Sequence, residues 1–417
     1  MKSQIFRLIL TTLCTLLALG MSAKAQSRPR RVNPPDTLLG PEPKSSPATD
    51  KNAPLLDVKP AKPVGDAPAS SGTAVSSSMT SSSDTTHAFQ LFQQKQYAAA
   101  ALEAKQIAAK DPSNSEAWKL AGFSEFYLKK YAEASVDLQK ALDLQRAANQ
   151  EDSHTVDALA ESYVLAEKFD RALPLLVTVT TRPGTKPDPS FLYYRGLAEF
   201  KTGKTADAEK SFNAAVKADP KNSASLFYLG RFAFERKDFD SAIAMLNRAT
   251  TSDPRMAEAW KLLTYAYLNR GGAATGPKAD ADYLAAVRAS ESLVKLRPDE
   301  DSTILYAQAL MRTQQYARAA SVLEPLTTKT DAKGATLYLL GFAHTQAKNY
   351  PKAVTALERA AQKTPDDVNI YRMLGYDYEV LKQYPKALGA YEKGLQLAPA
   401  DAELKESAER VRPFAKP

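Results

Sequence analysis

An all-α stack of helical hairpins is the fold this sequence predicts, on three observations. A small residue, an alanine and a proline each return after 34 residues: Gly196 and Gly230, Ala208 and Ala242, Pro220 and Pro254, then Gly341 and Gly375, Ala353 and Ala387, Pro365 and Pro399. Between these markers, apolar residues recur at three- and four-residue steps in two stretches, the spacing of two amphipathic helices. A short polar break separates the stretches, too short for anything but a tight turn. A fixed period of this length marks an array whose unit is one hairpin, unable to bury its apolar face without a neighbour.

Residues 223–254 form the clearest unit. Leu226, Leu229, Gly230, Ala233 and Phe234 make the stripe of a first helix, and Phe239, Ala242, Ile243, Leu246 and Ala249 that of a second. Residues 235–238 are the polar break. Asp253-Pro254 stops the second helix, because proline lacks an amide donor and drives the residue before it out of helical geometry. Gly230 and Ala242 are small where the two helices must approach closely, so a bulky substitute at Gly230 overpacks the crossing.

These residues resemble the tetratricopeptide repeat family, whose pattern runs aromatic or leucine, Leu-Gly, aromatic, Ala, Phe, Ala, Pro. Leu192, Gly196, Ala208, Phe212, Ala215 and Pro220 match one copy, and Leu337, Leu340, Gly341, Ala353, Leu357, Ala360 and Pro365 another. Tyr371, Leu374, Gly375, Tyr378, Ala387, Tyr391 and Pro399 are the fullest match. Trp118, Gly122 and Ala134 head an earlier unit, and Trp260, Leu263 and Tyr267 a later one. Degenerate copies run from His87 to Pro112, around Leu159, Tyr163, Phe169 and Ala172, and around Tyr306, Leu310, Tyr316, Ala319 and Leu323. The resemblance implies an α-solenoid superhelix of about nine hairpins over residues 87–399, closed by a polar capping helix and tail at 400–417. Pro254 to Pro298 exceeds one period by about ten residues, expected as a loop insertion at 271–280. Smaller excesses are expected near 147–152 and in the proline-rich stretch 182–189.

Residues 1–25 read as a secretory signal. Lys2 and Arg7 precede an apolar run from Leu8 to Leu19, and Ala23-Lys24-Ala25 offers a small-x-small cleavage site. The alternative expectation is an inner-membrane anchor formed by residues 8–23. The lone cysteine, Cys14, lies in this run, so the remainder has no thiol for a disulfide or a metal. Residues 26–86 are rich in Pro and Ser and have no aromatic side chain, a composition that predicts a disordered linker. The chain's net charge of +8 is spread among 47 acidic residues, without the basic stripe that nucleic acid requires.

No constellation for catalysis or metal binding stands out. His87, His154 and His344 fall in separate first helices, and Asp and Glu are accounted for by helix starts and solvated faces. Residues 271–278 mimic a phosphate loop only fleetingly, with Pro277 between the glycine and Lys278 and no strand before them.

The resemblance places the first helices along a concave groove. Its candidate ligand contacts are Phe123, Tyr127, Tyr193, Phe227, Arg231, Tyr265, Tyr338, Phe342, Arg372 and Tyr376, flanked by Phe126, Leu197, Phe200, Phe234 and Lys261. Phe200 and Phe234 suit a core role equally well. The Lys and Asn pair with which some members grip a carboxylate tail is missing, since Phe123 follows Lys119 and Tyr265 follows Lys261. What the resemblance implies is a non-enzymatic scaffold without cofactor, holding an extended peptide or a partner protein, and the signal at residues 1–25 adds the expectation of a periplasmic or otherwise exported protein of a bacterial cell envelope. The alternative is a glycan-binding scaffold similar in architecture to those of exopolysaccharide secretion. Membrane association is expected only through an uncleaved N-terminal segment.

Overall fold

A computed structural model describes residues 84–328 and 331–415. The signal and nearly all of the linker, residues 1–83, lie outside them. The described residues form α-helices in hairpin pairs: α1 (Thr86–Gln93) with α2 (Tyr97–Lys110), α3 (Ser115–Tyr127) with α4 (Tyr131–Ala147), α5 (Ser153–Leu165) with α6 (Phe169–Thr180), and α7 (Pro189–Lys201) with α8 (Thr205–Ala218). Then come α9 (Ser223–Glu235) with α10 (Phe239–Ser252), α11 (Ala257–Ala273) with α12 (Pro277–Leu296), and α13 (Glu300–Arg312) with α14 (Tyr316–Thr327). The last pairs are α15 (Gly334–Gln346) with α16 (Tyr350–Lys363) and α17 (Val368–Val380) with α18 (Tyr384–Leu397), followed by α19 (Ala402–Val411). The expected nine hairpins and cap are therefore present, and α1 begins one residue before the expected start of the array.

The chain divides between Ser302 and Thr303 into two compact units. In the N-terminal unit one buried cluster runs from Phe123 through Phe212 and Leu246 to Ala289. In the C-terminal unit a second core joins Leu337, Phe342, Leu357, Met373 and Tyr391 to Leu404 and Val411 of the cap. Within each unit hairpins stack so that the first helices of neighbours approach one another directly, as α3 does α5 and α15 does α17.

Local chemistry explains where each helix starts and stops. Asn114, Asp152, Asp188, Asn222, Asp367 and Asp401 accept a backbone N–H in the first turn of α3, α5, α7, α9, α17 and α19, satisfying donors that the helix itself cannot. The residues before the spacing prolines are extended, as at Asp219 (φ −134°, ψ 99°) and Asp253 (φ −134°, ψ 93°), the geometry that a following proline imposes. An aromatic six positions after the proline then ties down the connection. Trp118 Nε1 donates to the Pro112 carbonyl (3.0 Å), Trp260 Nε1 to Pro254 (2.8 Å) and the Tyr371 hydroxyl to Pro365 (3.0 Å).

In eight of the nine hairpins the three-residue break turns through one left-handed residue: Lys95, Lys129, Glu167, Gly203, Lys237, Gln314, Lys348 and Lys382. At Lys129 the pattern is complete, its N–H bonding the Phe126 carbonyl (2.9 Å) and the next N–H, of Lys130, reaching back to Glu125 (2.9 Å).

The hairpin crossing itself is set by a contact 16 residues long in sequence. A Cβ built on Gly122, Gly196, Gly230, Gly341 or Gly375 would stand 2.6, 2.8, 2.7, 2.5 and 2.3 Å from Leu138, Phe212, Leu246, Leu357 and Tyr391 respectively. The second helix seats a large side chain directly on bare backbone of the first.

The sixth hairpin corrects one expectation. Residues 271–280 are not a loop: Gly271 to Ala273 continue α11, Pro277 opens α12, and only three residues connect them. The extra residues lengthen the helices to 17 and 20 residues instead of hanging outside the fold. Side chains hold the extension together. Arg270 donates to both carboxylate oxygens of Asp282 (2.9 and 2.6 Å), and Gly271 leaves room for the Tyr283 ring.

Two glycines in the last hairpin should respond oppositely to alanine. Gly375→Ala drives a methyl into the Tyr391 ring and should cost about 1 to 3 kcal/mol, whereas Gly389, exposed in α18 with nothing within 4 Å, should gain up to about 1 kcal/mol. Thermal melting of the two variants checks this; equal shifts would mean the crossing is not glycine-limited.

Candidate functional site

The first-helix face is narrower than its residue types suggested. All residues of α9 from Ala224 to Ala233 are buried, as are all of α15 from Thr336 to Gln346. A first helix is packed by its own second helix and by the hairpins before and after it, so few positions per helix still reach solvent.

Six of the ten candidate contacts are packing residues, which corrects their reading as a ligand ladder. Phe123, Phe227 and Tyr338 are buried, and Tyr193, Arg231 and Phe342 are 1% exposed. Tyr193 lies among Tyr194, Phe212 and Tyr228, with ring centroids 5.6 to 6.3 Å apart, and burial pushes its phenol well above the usual range. Its hydroxyl and that of Tyr338 are buried without a hydrogen-bond partner. Phe342 meets Tyr316 edge-on at 6.2 Å. Arg231 stacks its guanidinium 4.9 Å from the Phe200 ring, with Nε 3.4 Å from Glu235. Among the flanking residues, Leu197 and Phe200 are buried as well, and Phe234 is half-buried against Phe239.

The other four keep part of their surface in solvent. Tyr127 stacks on Tyr97 (4.8 Å, 10° between planes) and closes the joint between the first two hairpins. Tyr265 is half-buried, its phenol raised by burial and by the charge of Asp301. Arg372 of α17 is held by Asn369 (2.6 Å) and by Asp401, the capping residue of α19. Tyr376, one turn further along α17, packs edge-on to Tyr350 at 6.3 Å. Arg372 and Tyr376 share a small cleft with Glu403, Glu406 and Arg410 of the cap and with Tyr391. Arg410 is in turn fixed by both oxygens of Glu379 (2.9 and 3.0 Å). Paired charges, an aromatic ring and a cap helix thus converge around a cleft of about 10 Å³.

Buried acids are the feature that sequence reading missed, having assigned Asp and Glu to caps and solvated faces. Glu125, Glu161, Glu199, Asp377 and Glu379 are all buried within first helices. Lys105 reaches both Glu125 and Asp137 (3.3 Å), and burial holds the Glu125 carboxyl above its ordinary value against the pull of that lysine. Glu199 joins Arg195 (2.8 Å) and Ser211 (2.6 Å). These groups couple one helix to the next. The only available signal was position, since each falls within a first-helix stripe otherwise filled by apolar residues.

The histidines lie apart, on α1, α5 and α15. His87 bonds Glu103 (2.7 Å), and His344 is buried 3.5 Å from Glu324. Among the described residues no group of three or more His, Cys, Asp or Glu could hold a metal ion, and no helix is long and apolar enough to cross a membrane.

The tetratricopeptide repeat profile matches residues 158–223, 196–257, 229–276 and 338–402, in register with the hairpins described above. The chain belongs to the tetratricopeptide repeat family. A second profile, that of anaphase-promoting complex, cyclosome, subunit 3, matches residues 280–360 of this repeat protein. Among solved structures it is similar to MamA 41-end from Desulfovibrio magneticus RS-1, with 21% identity, covering 43% of this chain and 98% of that one at a TM-score of 0.38. It is similar also to YrrB, described as a TPR protein with an unusual peptide-binding site, with 14% identity, 48% and 99% coverage and a TM-score of 0.41. The TPR domain of P58(IPK) aligns over 79% of this chain and 96% of its own, at 16% identity and a TM-score of 0.25. No curated protein matches the chain.

Burial separates the candidates by stability. Tyr193→Ala and Phe342→Ala should each cost about 3 to 5 kcal/mol, while Tyr376→Ala should stay within about 1 kcal/mol of the parent. Melting curves distinguish them; an unshifted Tyr193→Ala would return that ring to the candidate surface.

Asp377 adds a pH signature. It is fully buried, its Oδ2 accepts from the Thr345 hydroxyl (2.8 Å), its Oδ1 has no partner, and burial raises it from 3.8 to about 8. The folded chain holds this proton more tightly than the unfolded chain. Asp377 therefore supports the fold fully below about pH 4, and that support is lost as pH rises through about 8. Asp377→Asn should melt above the parent near pH 9 and converge with it toward pH 4; a pH-independent difference would refute this.

Proposed function

We propose that the chain is a non-enzymatic interaction scaffold of a bacterial cell envelope, binding an extended peptide or a partner protein along its first-helix face. The observation that carries this reading is the cleft beside Tyr376. There Arg372 and Arg410 are pre-fixed by acids, Glu403 among them (3.6 Å from Arg372), beside a partly exposed ring. Rigid aromatic and arginine side chains are the groups from which interaction hot spots are built, because little freedom is lost when a partner covers them. A peptide backbone gives both kinds of group something to bond, and an extended peptide presents side chains at alternate positions to such clefts. Export rests on residues 1–25, and residues 26–86 then act as a tether that spans on the order of 40 Å.

A second reading, glycan binding within an envelope secretion system, is favoured by the same cleft. A tyrosine ring beside the acidic Glu403 and Glu406 is the arrangement that stacks on a sugar face while bonding its hydroxyls.

The decisive experiment is affinity capture from envelope extracts by the parent and by Tyr376→Ala, read by mass spectrometry and glycan analysis. A captured protein should be retained about tenfold or more weakly by the variant, equivalent to the loss of one ring hot spot. Equal retention, at unchanged melting temperature, would remove the cleft from the binding surface, and captured glycan without protein would favour the second reading.

A further inference from the structure

An apolar stripe runs along the outer face of the first three hairpins. Leu102, Val136 and Pro174 each occupy the sixth position of a second helix, in α2, α4 and α6, and Leu102 and Val136 are 62% and 51% exposed. Val177, one turn beyond Pro174, is 37% exposed. The stripe ends there, because the sixth position of α8 is Lys210. Pro174 and Val177 also border a surface depression of about 460 Å³, with Leu173 at its floor and Asp170 and Lys204 on its rim. Second helices of neighbouring hairpins approach less closely than first helices do. Isolated exposed aliphatic residues need no explanation, but a stripe at one repeat position that ends in a depression is a surface built to be covered.

We propose that residues 54–59 of the same chain cover it. Leu55, Leu56 and Val58 put three large aliphatic residues into four positions, the densest such group between residues 26 and 83. The length of chain between fits as well. Val58 and Asp84 are 26 positions apart, and a flexible segment of that size has a root-mean-square reach of about 25 to 31 Å. Two hairpin steps, from α2 to α6, span on the order of 20 Å at ordinary helix spacing. A linker whose reach is close to the span it must cross gives its end a high effective concentration, so a weak apolar contact suffices. The segment carries one acid and one base, Asp57 within the aliphatic group and Lys59 after it, and the depression carries one of each as well, Asp170 and Lys204.

The test uses the full chain with Cys14→Ser, carrying Leu56→Cys together with Val136→Cys, or together with Thr355→Cys at the same repeat position of α16. Under mild oxidant the Val136→Cys pair should close an intramolecular disulfide at least about tenfold faster than the Thr355→Cys pair. Equal rates would overturn the proposal. So would disulfides between copies that increase with concentration, which would make a second copy the occupant. Leu55→Asp with Leu56→Asp should also increase binding of an apolar dye to the full chain, and unchanged dye binding would count against coverage by this segment. A partner protein that shields Val136→Cys from alkylation while Leu56→Cys stays reactive would likewise overturn it.

Discussion

Five of the nine hairpins depend on one close approach, the seating of a large second-helix side chain on bare first-helix backbone 16 residues earlier. Leu138, Phe212, Leu246, Leu357 and Tyr391 sit on glycine in this way. In the remaining units of similar length the pairs are Ala88 with Ala104, Ala160 with Leu176 and Ala307 with Leu323, each fully buried. Because the contact fixes how the two helices cross, it also fixes which faces remain for the next hairpin. Stacking is then a consequence of one local geometry repeated, which is why a period of 34 survives while most other positions vary.

That geometry explains what the sequence revealed and what it hid. Glycine, alanine and proline markers report backbone constraints, and constraints of this kind have few chemical solutions, so hairpin number, turn positions and the capping helix could be read directly. The fate of an aromatic residue is different. Tyr193 and Tyr376 sit in similar first helices, yet one is enclosed by Phe212 and Tyr228 and the other keeps solvent beside the cap. Which of them is enclosed depends on the bulk that its own second helix and the next hairpin supply together, and the pattern of a single repeat does not record the second of these. Residues 271–280 were hidden for a related reason. Two adjacent glycines and a proline look like a loop, but Arg270, Asp282 and Tyr283 hold the helices side by side through them.

Buried acids give the stack a second kind of order. Apolar contacts alone tolerate sliding of one helix along another, whereas a carboxylate out of water accepts only the partner that satisfies it. Glu199 between Arg195 and Ser211, and Glu379 between Tyr391 and Arg410, therefore lock positions along the helix axes.

The cap has a consequence for how such a chain can change length. Leu404 rests on Gly394 at 3.0 Å from where its Cβ would be, Arg410 is clasped by Glu379, and Asp401 both caps α19 and holds Arg372. All three anchors belong to the last hairpin. A hairpin inserted between α18 and α19 would break them, while one duplicated further upstream would leave them intact. Growth or shrinkage of the array over evolutionary time is thereby directed to its interior, and its terminus is inherited as a unit.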